Sequence, residues 1–144
     1  MSSHGETRPS GAVHVLDAMT AAPAHHSILI ENEQVRVLDT RLGPGERTPV
    51  HTHEWPGALY VLSWSDFVRR DASGEVLADS RTMAAAPKPG DALWLPPLPP
   101  HQVENVGDRD LHIIAVELKQ ASAPQPRGRG NGCPLWVESG GVAP

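Results

Sequence analysis

Fifteen prolines and 13 glycines are spread along 144 residues and fall between short apolar runs. Proline removes a backbone donor and glycine weakens a helix interior, so this spacing leaves no room for long helices. The runs at 27–30, 34–42, 58–63, 67–70, 92–95, 101–106 and 111–118 have strand length. Turn signals at Gly43-Pro44-Gly45, Asp71 to Gly74, Lys88-Pro89-Gly90-Asp91 and Gly107-Asp108 separate them. Weaker strands are expected at 75–80 and 81–85. The donor-poor stretch Pro96-Pro97-Leu98-Pro99-Pro100 predicts an extended bend outside the central ladder. Short strands at this spacing predict an all-β sandwich or small barrel, and the length suits one domain.

Twelve basic against 17 acidic residues give a formal charge of -5, with no basic tract to follow a phosphate backbone, so no nucleic-acid partner is expected. Cys133 is the single cysteine and cannot form an intrachain disulfide, which makes a reducing cytoplasm the default compartment. No segment has the charged start and apolar run of a signal peptide or the roughly 20 apolar residues of a membrane span, so no membrane partner is expected. Residues 1–26 read as a flexible N-terminal arm or docking segment, 27–119 as the domain, and 120–144 as a Pro/Gly-rich arm anchored by Trp136. The last strand, 111–118, is apolar at both alternating positions, which predicts cover by a partner subunit and hence a homodimer.

His51 and His53 are two residues apart in P-V-H-T-H-E-W, so on a strand both imidazoles point to one face. His101, in P-P-H-Q-V-E-N, supplies a third nitrogen if its strand is a neighbour. Three neutral imidazoles suit Fe(II), Zn, Ni or Cu better than a hard cation, and leave coordination positions open.

These residues together resemble the cupin superfamily, RmlC-like proteins whose fold is a jelly-roll β-barrel or double-stranded β-helix. The resemblance covers residues 27–119. Gly45 through His51 and His53 match the opening half of the first cupin motif, and Pro89-Gly90-Asp91 with His101 and Asn105 matches the second. At the place of the usual first-motif glutamate the chain has Gly57 and Ala58, and Glu54, the nearest carboxylate, is aimed away from the imidazoles by strand alternation. The remaining set, His51, His53 and His101, resembles the three-histidine centre of some cupin dioxygenases.

That resemblance implies a divalent transition metal, with Fe(II) favoured for an oxygenase, and a small-molecule substrate. If Ala58 faces the cavity, Tyr60 faces it too and is the candidate catalytic side chain. Trp55, Trp64 and Trp94 are candidate pocket walls, and Arg47 a candidate carboxylate attractor. Glu104 reads as a solvated strand residue, Asn105 as a support of the sheet, and Cys133 has no catalytic partners nearby. A noncatalytic small-molecule-binding cupin and a metal-dependent isomerase or hydrolase are the alternatives.

Overall fold

Gly45, Gly74 and Gly90 adopt φ values of 76°, 93° and 94°, the left-handed region that a side chain resists. Each sits in a turn the sequence marks, and the strands run between them. The computed structural model describes residues 15–119. A short helix, α1 (Ala18–Ala21), precedes nine strands: β1 (His26–Glu31), β2 (Val35–Leu42), β3 (His51–His53), β4 (Gly57–Ser63), β5 (Phe67–Asp71), β6 (Val76–Asp79), β7 (Ala92–Leu95), β8 (Leu98–Asn105) and β9 (Leu111–Leu118).

Two antiparallel sheets form, a five-stranded one in the order β1-β2-β9-β4-β7 and a four-stranded one in the order β3-β8-β5-β6. Alternation explains the core. Leu38 and Leu42 of β2, Leu59 and Val61 of β4, and Leu111, Ile113 and Ala115 of β9 point between the sheets, where they meet Phe67, Leu98 and Val103. Asn105 locks one end: its Nδ2 donates to Leu42 O at 2.8 Å and Arg109 O at 2.7 Å, and its Oδ1 accepts from Ser65 Oγ at 2.8 Å and Gly107 N at 3.0 Å. No helix among the described residues is long and apolar enough to cross a membrane.

Two expectations are corrected. The strand expected at 81–85 is replaced by a 3-10 turn, Ser80–Thr82, because Asp79 accepts from the Arg81 amide and caps it. The proline bend is not wholly outside the ladder, since β8 already begins at Leu98. His51 pairs with His101 and His53 with Leu98, and the register shift between them is a bulge that seats Pro99 and Pro100 without ladder donors. Within the segment read as a flexible arm or docking segment, Ala18 and Ala22 are fully buried, and Asp17 bridges to Thr52. Residues 1–14 and the segment 120–144, with its expected Trp136 anchor and Cys133, lie outside the described residues.

Candidate metal centre

The alternation of β3 points His51 and His53 inward, and the β3–β8 pairing puts His101 directly beside His51. A fourth imidazole arrives from the other sheet, because His26 is the first and inward residue of β1. All four histidines are between 2% and 7% exposed, which shields the space between them from bulk water. A ring nitrogen from each of His26, His51 and His53 lies within 4.8 Å of the others. The His101 ring sits 4.4 Å from that of His51 and 5.6 Å from that of His53, centroid to centroid.

Every one of the four rings has Nδ1 committed. In His51 and His101 it donates to the carbonyl of the proline two residues earlier, Pro49 O and Pro99 O, each at 2.8 Å. In His26 it donates to Ala22 O at 3.0 Å, and in His53 to Glu117 Oε2 at 3.2 Å. Carbonyl and carboxylate oxygens only accept, so Nδ1 carries the proton and Nε2 keeps its lone pair in the neutral ring. Burial, reinforced by the neighbouring imidazoles, pushes His26 down to about 3, His51 to about 4 and His101 well below its ordinary value. These three rings are therefore neutral, ligand-ready bases at neutral pH. Two nitrogens bound to one ion at ~2.1 Å are at most ~4.2 Å apart, so the spacing of His26, His51 and His53, within 4.8 Å, fits a shared cation after side-chain shifts below about 1 Å.

A buried chain of charges supports His53. Glu117 Oε1 accepts from Arg36 Nε at 2.8 Å, and Arg36 NH1 and NH2 each donate to Asp17 at 2.9 Å. Burial alone would raise the Glu117 carboxyl, but His53 and Arg36 outweigh it and hold it below its ordinary value. Burial likewise works against ionisation of Asp17, and Arg36 overcomes it. Sequence reasoning missed His26, Asp17, Arg36 and Glu117. Glu117 had a signal: period two puts it on the same face as Leu111, Ile113 and Ala115, a lone carboxylate on an apolar face. His26 had a weaker one, a histidine at the head of a strand-like run.

The imidazoles line a cavity of about 50 Å³ whose other walls are apolar, among them Leu42, Leu59, Leu95, Leu98 and Ile113. A more open crevice outside, bordered by Leu16, Thr52, Glu54 and Pro97 to Pro100, shares His53 and Leu98 with it. Glu54 is exposed at this rim.

Tyr60, expected to face the cavity, lies on the outer face and is 47% exposed, because β4 turns Gly57, Leu59 and Val61 inward instead. The reason is Gly57 itself: a Cβ there would collide with the Val116 carbonyl, so this residue packs flat against β9 and sets the alternation. The tryptophans do not line the cavity either. Trp55 lies under Arg36, 4.8 Å from its guanidinium carbon; Trp64 stacks edge-on with Phe67 in the core; Trp94 pairs with outward-facing Ala58. Arg47 and Glu104 are engaged with each other at 3.2 Å.

The sequence matches no family model and no curated protein. Among solved structures, it is similar to a cupin domain from Bordetella pertussis Tohama I, with 21% identity, 65% of this chain and 91% of that one covered, and a TM-score of 0.52. An RmlC-like cupin with a double-stranded β-helix from Methanocaldococcus jannaschii aligns at 17% identity, 65% and 77% coverage and TM-score 0.47. The polyketide cyclase RemF from Streptomyces resistomycificus aligns at 20%, 68% and 66%, and 0.44. The protein has the cupin fold, a double-stranded β-helix, and the fold assignment rests on the first of these likenesses.

Proposed function

We propose that this protein is a divalent-transition-metal cupin acting on a small molecule, with His51, His53 and His101 as metal ligands and His26 completing the set. The observation that carries the reading is the commitment of all four Nδ1 atoms to hydrogen-bond acceptors, which leaves Nε2 uncommitted on four rings that line one small cavity. Ligands that are already neutral bind a cation without first losing protons. Zinc, nickel and copper suit the same donors, and a bound ferrous ion would supply the oxygen-activating chemistry of a dioxygenase.

The surrounding residues narrow the substrate. Asp17, Arg36 and Glu117 together carry one net negative charge, so a divalent ion held by neutral imidazoles remains incompletely compensated. An anionic headgroup, such as an enolate or thiolate, would complete the neutralisation. The leucine walls exclude water and favour an apolar body next to that headgroup, and the crevice at His53 and Leu98 offers the entry. Space of about 50 Å³ holds only about four waters, so the inner cavity receives the headgroup and not a large molecule.

Metal analysis of protein purified without an affinity tag, beside His51→Ala and His101→Ala, tests the ligands. About one ion per chain, lost in both variants, is expected; unchanged stoichiometry in both overturns the assignment. Oxygen uptake by the iron-loaded protein with thiols, β-dicarbonyls and aromatic acids tests the dioxygenase reading. Binding of such a compound without oxygen consumption would instead mark a noncatalytic ligand-binding cupin.

A further inference from the structure

Besides the imidazoles, Thr40 and Thr48 bring hydroxyl groups to the lining of the inner cavity. They differ in what holds them. Thr48 is 4% exposed, and its Oγ1 accepts from Val103 N at 2.9 Å, which ties the segment before β3 to β8. A threonine there serves the sheet. Thr40 belongs to β2, where alternation turns it inward between Leu38 and Leu42, both buried. Its hydroxyl is engaged by no other described residue. The residue is half-buried, and because it points inward and lines the cavity, the surface it keeps meets that space.

Valine has the same shape and would fill this apolar wall without the cost of desolvating a hydroxyl. Water in the cavity can serve the Thr40 hydroxyl, and a ligand that displaces the water takes over its hydrogen bond or forfeits it. The ladder sets where that bond is offered. Thr40 pairs with His26 of β1 on one side and with Ile113 of β9 on the other, and side chains paired in this way are neighbours with Cβ atoms about 5 Å apart. The His26 ring in turn lies 4.8 Å from that of His51 and 5.4 Å from that of His53, centroid to centroid. A threonine side chain is much shorter than an imidazole. From the neighbouring strand its O–H therefore stops short of a cation shared by the rings and reaches the outer atom of a headgroup bound there.

We infer, resting on the metal reading above, that Thr40 selects the headgroup: its hydroxyl donates to the second oxygen of an anion whose first oxygen is at the metal. The site then takes a two-oxygen anion, such as a carboxylate or an enolate with an adjacent carbonyl, in preference to a thiolate. A ligating sulfur has only carbon beside it, so a thiolate strips the Thr40 hydroxyl of water and gives it no acceptor in return. Sites built to hydrogen-bond a ligand reject an analogue without the matching atom for this reason.

Titration of the cobalt-loaded full chain with acetate and with ethanethiol, followed by the visible absorption of the ion, tests this. Wild type is expected to bind acetate about 10- to 100-fold more tightly than Thr40→Val, which lacks the hydrogen bond to a charged acceptor. The two proteins should bind ethanethiol equally and hold the same amount of cobalt. Thr40→Ser keeps the hydroxyl and should restore acetate binding. Should Thr40→Val lose its melting transition, Thr40→Ala carries the same expectation. Equal acetate affinity in wild type and Thr40→Val overturns the inference, as does a loss that falls equally on acetate and ethanethiol, or a cobalt-loaded wild type that takes no acetate; in each case the metal reading stands. A wild type that holds no cobalt overturns the metal reading itself, and the role of Thr40 with it.

Discussion

Glu117 and His53 stand on different sheets, and Oε2 of the one accepts from Nδ1 of the other at 3.2 Å across the interior. A carboxylate in that position fixes the tautomer of the imidazole and raises the basicity of its other nitrogen. Glu117→Gln keeps an acceptor oxygen but removes the charge, and is expected to weaken zinc affinity about 10–100-fold in a chelator competition titration. Affinity equal to wild type would detach Glu117 from the site.

Arg36 lies between two carboxylates and is itself 4% exposed. Arg36→Met leaves Asp17 and Glu117 facing each other without a cation, and is expected to lower stability by about 3–5 kcal/mol in urea unfolding. Adding Glu117→Gln to that variant should recover part of the loss, since one of the stranded charges disappears.

The pH dependence of stability follows from the depressed histidines. The folded values of about 3 for His26 and about 4 for His51 lie below the ordinary ~6.5 of an unfolded chain. As pH falls through ~6.5 the unfolded chain takes up protons that the folded protein refuses, so stability present at neutral pH is lost progressively down to the folded values. At ~1.4 kcal/mol per pH unit and per group, metal-free protein is expected to lose several kcal/mol between about pH 7 and about pH 4. Urea midpoints that stay flat over that range would contradict it. Binding of a divalent ion near neutrality should also draw no proton from His26, His51 or His101, which calorimetry in buffers of different ionisation enthalpy would detect.

Gly57→Ala is expected to destabilise by about 1–3 kcal/mol, because the new methyl group meets the Val116 backbone and not a movable side chain. A thermal melt measures it. An unchanged transition would mean that β4 and β9 can separate locally without loss.

Tyr60→Phe is expected to leave metal affinity and any turnover unchanged, since the phenol is outside the barrel. Loss of turnover with retained metal would return Tyr60 to the chemistry.

Strand positions were legible wherever a turn glycine bounded an apolar run: β4, β5, β7 and β9 fall at or within a residue of their expected bounds. The direction in which β4 faces was not legible, because its alternate residues are apolar on both sides; contact with the β9 backbone at Gly57 decides it. The motif histidines His51, His53 and His101 were visible from spacing, and the structure brings them together. His26 was not, because its role depends on β1 crossing to the opposite sheet, a long-range fact that no local pattern encodes. The proline run misled for a related reason: the bulge that seats Pro99 and Pro100 is set by β3, far away in the chain.

The position of β9 bears on when the centre comes into being. Although it is the last strand among the described residues, it lies in the middle of its sheet, between β2 and β4, and delivers Glu117 to Arg36 across 81 residues of chain. During synthesis, then, β2 and β4 do not share β9 as a neighbour, and His53 lacks Glu117 as a partner, until β9 has emerged and inserted. Closing such distant pairs is slow by the standards of small domains, on the order of milliseconds to seconds. Tight metal capture should accordingly await β9, acquired in one late step and absent from any nascent form that stops short of Glu117.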